Sequence, residues 1–245
     1  NKFFLLAFTP LLLYGISLFF QDIFIGKIIF SLSGIFLVLL QGYLLQRVLK
    51  LENFGLIFII PLSFLVLTFG AIFSTKLFGV SSSFAPPLCL VGENIALLIA
   101  NMFFREKENY ELIFEPKLVF WTAVPVILFL LCFWIYPYFV GDDTYVLATS
   151  LRESIQANKI IQPFSDRRPF FTPLVVFLKT ALGLSIKNIL IFVLPLGAIL
   201  SFMSPLAILK KQITKNWWLG IWSVVFLASP YLFFQLQYAI PQSLV

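Results

Sequence analysis

Histidine is absent from the 245-residue chain. Its absence excludes a Ser-His-Asp triad, a Cys-His pair and any His-ligated metal. Only two cysteines occur, Cys89 and Cys132, both inside apolar stretches. They lack metal-ligand spacing and read as small apolar packing residues. Charge is scarce as well: Asp, Glu, Lys and Arg make up 11% of the chain, whereas a soluble domain carries about 25%. With 60% hydrophobic residues there is too little polar surface to cover a water-facing globule. An ordinary soluble enzyme, a disordered tail and a nucleic-acid binder are thereby excluded. The net charge of +6 sits largely at the ends of apolar runs, where it sets orientation in a membrane.

What is present is a series of apolar runs separated by short polar breaks. They are Phe3 to Phe20, Ile23 to Leu45, Phe54 to Phe73, Ala85 to Phe104, Leu118 to Val140, Asn188 to Leu209, and a last run from Trp217 to about Gln235. Each is long enough to cross about 30 Å of hydrocarbon as a helix. Strands are excluded because their backbone groups would go unpaired in lipid. The expected fold is therefore all-α: a polytopic transmembrane helix bundle of about seven spans. Prolines 61, 125, 195, 205 and 230 are tolerated as kinks in that setting. The opening run lacks a small-residue cleavage site and is not a signal peptide. Asn1 in place of Met, and an ending in mid-pattern, lead to the expectation that the chain is a piece of a longer protein.

Lysine and arginine fix the orientation. Loops 46–53, 105–117 and 210–216 hold Arg47, Lys50, Arg105, Lys107, Lys117, Lys210, Lys211 and Lys215. The short loops of the other side hold only Lys76. The basic loops are expected in the cytoplasm, which puts segment 141–187 outside a multi-pass protein, the cytoplasmic membrane being its expected home. Pro169 to Leu184 is apolar, but it is short for a span and contains Lys179. It is read as a helix on or dipping into the outer interface. Two units are expected: residues 1–117, four spans with a charged linker, and residues 118–245, which hold the one extended polar segment.

Polar residues carry the functional signal in such a chain. Gly141-Asp142-Asp143-Thr144-Tyr145 follows the fifth run. Thr144 to Asn158 reads as an amphipathic helix, the first of two interfacial helices in the outer loop. Leu147, Leu151 and Ile155 fall on one face, and Thr149, Arg152, Glu153 and Gln156 on the other. Asp143 is placed as its N-cap. Two readings stand side by side. In one, Asp143 caps and Asp142 is solvated. In the other, a carboxylate at the membrane surface takes a proton from a hydroxyl or holds a divalent cation against a phosphate. Ser165-Asp166-Arg167-Arg168-Pro169 offers paired guanidinium groups, suited to phosphate or to anionic headgroups. Arg152 and Lys159 add to either role. Inside the runs, Glu93-Asn94 interrupts the fourth, and an intramembrane carboxylate either functions or bonds a neighbouring helix. Lys27 is placed to snorkel outward, and Gln235 and Gln237 stand where the last run ends.

Run five, the acidic segment, the helix to Ile161, Arg168-Pro169-Phe170-Phe171-Thr172-Pro173-Leu174 and run six together resemble the start of a GT-C glycosyltransferase. That superfamily includes oligosaccharyltransferases, protein mannosyltransferases and lipid A aminoarabinose transferases. The likeness covers about residues 118–245. Runs one to four resemble a module that precedes such domains. Gln41-Gly42-Tyr43-Leu44-Leu45-Gln46-Arg47 stands at its usual Pro-Gly-Tyr start, with Gln in place of Pro. The resemblance implies a polyprenyl-phosphate-linked sugar as donor, a hydroxyl on a glycan or protein as acceptor, and inverting transfer. Asp142 or Asp143 would be base or metal ligand, Asp143 being the metal ligand where a divalent cation is used; Arg167 or Arg168 would partner the donor phosphate, and Arg152 would join them in binding the substrate. Further spans would be needed, so this stretch alone would be inactive. The competing classes are a transporter or flippase of lipid-linked sugars, for which Glu93 is the best candidate residue, and a non-catalytic membrane scaffold.

Overall fold

A computed structural model of the chain describes residues 2–51, 58–80, 82–104, 142–158 and 171–209, together with positions 123, 126, 127, 130 and 131. Runs five and seven, and residues 159–170, fall outside or almost outside these residues. No strand occurs among the described residues. Among the described residues the longer helices are α1 (Lys2–Ser17), α2 (Phe24–Val48), α3 (Ile59–Phe78), α4 (Ala85–Phe104), α5 (Asp142–Gln156), α6 (Phe171–Leu182) and α7 (Leu194–Leu209). A π-helical turn, Ile189–Val193, leads into α7. It precedes Pro195, which has no N–H to give the helical ladder, and a register break of this kind is what proline occasions. Pro61, Pro86, Pro87 and Pro173 fall in first turns, where the missing N–H costs nothing.

Three helices, α2, α3 and α4, are long and apolar enough to cross a membrane, and the chain is a helical membrane protein. The side-chain distribution agrees, being reversed relative to a soluble bundle. Phe24, Phe69 and Phe103 are 76%, 66% and 82% exposed, while Gln41 and Asn94 are 0% exposed. Lipid accepts the apolar surface, and polar groups must find partners inside. Many do so on their own helix: Ser33 Oγ donates to Ile29 O at 2.6 Å, and Ser63 Oγ to Ile59 O at 2.8 Å.

α2 is central and packs against α1, α3, α4 and α6. Its contact with α3 is close because Gly42 lies against the backbone of Ile59 and the Ser63 hydroxyl. At the same end, Asn101 Nδ2 donates to Leu44 O at 2.9 Å, tying the last turn of α4 to α2. α2 and α4 therefore run parallel, and α3 runs against both.

α6 departs from the expected interfacial placement of residues 169–184. Ten of its twelve residues are buried, and it packs against α2, α3 and α4. An interfacial helix keeps one face to water, and α6 has no such face: Lys179 is its single charged residue. At about 18 Å it is also too short to span. Its C-terminal carbonyls, orphaned by the end of the helix, are met inside the bundle. Tyr14 Oη donates to Ala181 O at 2.6 Å and Ser31 Oγ to Leu182 O at 2.7 Å. Gly183, at φ 64°, then turns the chain through the left-handed region that closes helices. Tyr14→Phe removes one donor and strands a buried carbonyl. The expected loss is about 1–3 kcal/mol, seen as a lower melting temperature in detergent. An unchanged melting temperature would show that water reaches Ala181 O.

Candidate functional site

The two places singled out by sequence fare differently. The acidic segment opens α5. That helix starts at Asp142, two residues before the expected start, so Asp142 and Asp143 occupy its first turn instead of preceding it. Acidic residues in a first turn are favoured by the positive end of the helix dipole, which is a reason for the helix to extend back to include them. Their side chains lie outside the described residues.

Further along α5, Thr149, Arg152, Glu153 and Gln156 are exposed, while Leu151 is buried and Ile155 half-buried. Ser150 and Ser154 are buried as well, which the apolar periodicity did not foresee, and Ser154 Oγ donates to Ser150 O at 2.7 Å. Asn158, just past α5, lies against Gly79 at the end of α3. The end of α5 thus shares the end of the bundle that carries the α1–α2 and α3–α4 turns. Arg152 stands nine residues beyond Asp143, about 13 Å along the axis. α5 alone therefore does not set carboxylate and guanidinium side by side. Asp166, Arg167, Arg168 and Lys159 lie outside the described residues, as do Gln235 and Gln237. Among the described residues no three His, Cys, Asp or Glu side chains come together.

The second place is Glu93, in the middle of α4. Gln41 Nε2 donates to Glu93 Oε2 at 2.7 Å, bridging α4 to α2. The Glu93 carboxylate also rests against Gly70 of α3, where any side chain would collide with it. Three spans therefore meet at one carboxylate. Gln41 Oε1 and Asn94 Oδ1 are buried with no partner among the described residues, while Asn94 Nδ2 donates to Leu90 O at 2.8 Å. The role of Gln41 was missed from sequence, where it was noted only beside Gly42-Tyr43. The signal was its position: a polar residue interrupting run two, as Glu93 interrupts run four. Cys89, one turn before Glu93, is a free thiol that lines the groove beside it.

No protein-family model, curated protein or solved structure matches the chain.

Proposed function

We propose that the complete protein is an integral-membrane glycosyltransferase of the GT-C kind. It would transfer a sugar from a polyprenyl-phosphate donor to a hydroxyl acceptor on a glycan or protein. Segment 141–187 would stand outside the cytoplasmic membrane, the basic loops inside, and seven spans would lie within residues 1–245. The observation that carries this is the acid pair in the first turn of an amphipathic helix that follows an apolar run. The order of features after it, paired arginines, a Pro-Leu segment and another apolar run, supports it further.

The chemistry needs few groups. Asp142 or Asp143 takes the proton from the acceptor hydroxyl. The oxygen attacks the anomeric carbon, and the bond from that carbon to the phosphate oxygen breaks on the opposite face. The lipid phosphate leaves with the electron pair, held by Arg167 or Arg168. Arg152, some distance along α5, suits the donor's approach better than its reacting atoms. A divalent cation at Asp143 would supply charge neutralisation for the leaving phosphate.

The second reading, a transporter or flippase of lipid-linked sugars, draws on Glu93 inside the spans. The assay that separates them uses the complete protein in liposomes with radiolabelled polyprenyl-phosphate hexoses and pentoses. The expected result is a new glycosidic bond on an added acceptor, with polyprenyl phosphate released in equal amount. Movement of intact donor between leaflets without that bond would overturn the transferase proposal.

A further inference from the structure

A groove of about 840 Å³ runs between α3 and α4 and takes in Glu93, a size typical of small-molecule sites. Phe69, Phe73 and Leu88 along it are each more than half exposed. Because α3 and α4 are both long and apolar enough to span, the groove opens toward the bilayer. Gly92 lines it at a point where an added side-chain carbon would meet nothing within 4 Å. Among its described lining residues Glu93 is the one acid and Lys76 the one base. The two charges are separated in depth. Gly70, which touches the Glu93 carboxylate, is six residues before Lys76, about 9 Å along α3. Lys76 is exposed and sits in the last turn of α3, so its stem can carry the ammonium to the helix end. Deep in the groove the ionisable group is that of Glu93.

That carboxylate is under-used. Its hydrogen-bond partner among the described residues is Gln41, whereas an ionised carboxylate offers about four acceptor positions. Behind it, Gln41 Oε1 is fully buried with no partner among the described residues. A carboxylate against apolar walls keeps its charge only when donors or a cation meet it, and otherwise takes up a proton. We propose that the α3–α4 groove binds a lipophilic ammonium ion, its apolar or aromatic body between the helices and its N–H groups on Glu93. Phe69 and Phe73, which line the path, supply aromatic rings against which a cation can rest. An aminophospholipid fits poorly. Glu93 is eight residues into α4, about 12 Å below its first residue, and the lipid phosphate would have to follow the amine toward that depth. The proposal does not depend on the transferase reading.

The test measures binding of pyrenemethylammonium, by its fluorescence, to the full-length protein in phosphatidylcholine nanodiscs. Pyrenemethanol serves as the neutral comparator. Saturable binding of the ammonium is expected, weakened about 10- to 100-fold by Glu93→Gln, the worth of a charge-assisted hydrogen bond. The same variant should leave pyrenemethanol binding unchanged. Gly92→Leu fills the groove without a clash and should weaken the ammonium about tenfold. Helicity by circular dichroism and elution volume should match the wild type for both variants. Three outcomes would overturn the proposal: folded Glu93→Gln binding the ammonium as wild type does, pyrenemethanol binding as tightly as the ammonium, or loss of ammonium binding once phosphatidylethanolamine is added to the discs.

Discussion

Asp142→Asn or Asp143→Asn in the complete protein is expected to leave membrane insertion and yield intact and to cut sugar transfer by about 10²- to 10⁴-fold at whichever position is the base. Asp→Asn keeps the size and the acceptor oxygen while removing the charge and the basicity. Both residues lie in the first turn of α5. A carboxylate there stabilises the helix by about 0.3–1 kcal/mol through the dipole. That cost is too small to unfold a bundle held by α2, α3, α4 and α6, so activity and folding separate cleanly. A metal-ligand role for Asp143 is distinguished by cation dependence: Asp143→Asn would then recover part of its rate at high manganese, while Asp142→Asn would not. If transfer survives in both single variants and in the double variant, the acid pair merely shapes the start of α5 and the catalytic assignment is lost.

How much was legible in the sequence differs from helix to helix. The apolar run Ala85 to Phe104 coincides with α4, because Ser82 stops the chain before it and its Oγ accepts the Ala85 N–H at 3.2 Å. The third run was expected over Phe54 to Phe73, yet α3 covers Ile59–Phe78. Ser74 and Thr75 end the apolar run, but Ser74 Oγ bonds back to Ala71 O, so the helix absorbs the polar residue. α6 was misplaced for a related reason. Length and Lys179 exclude a span, which leaves a helix on or dipping into the outer interface. The missing polar face, which points to burial among other helices, is a tertiary matter that periodicity does not report. The pairing of Gln41 with Glu93 was equally invisible. Fifty-two positions separate them, and which spans adjoin is not written in any one of them. The start of α5 was read to within two residues because an acid pair before an amphipathic stretch is a local signal.

Gly42→Leu is expected to damage the packing of α2 on α3 severely. An added Cβ at position 42 would run into the carbonyl of Ile59 and the hydroxyl of Ser63. The first of these is backbone, so relief requires moving the start of α3 as a whole. Overpacking typically costs about 1–3 kcal/mol, and a backbone obstacle puts this site at the upper end. In lipid the cost has no hydrophobic offset, since a leucine facing acyl chains is already content and helix association rests on close packing. The damage spreads further, because Gln41, the next residue, carries the bridge to Glu93, and parting α2 from α3 disturbs the carboxylate that all three spans share. Thermal unfolding in detergent should therefore show a melting temperature well below wild type for Gly42→Leu. Gly92→Leu, which adds the same side chain in open space, should stay within about 0.5 kcal/mol of wild type. Equal melting temperatures for the two variants would mean that α2 and α3 do not meet at Gly42. The three-helix seat of Glu93 would then have to be abandoned along with that contact.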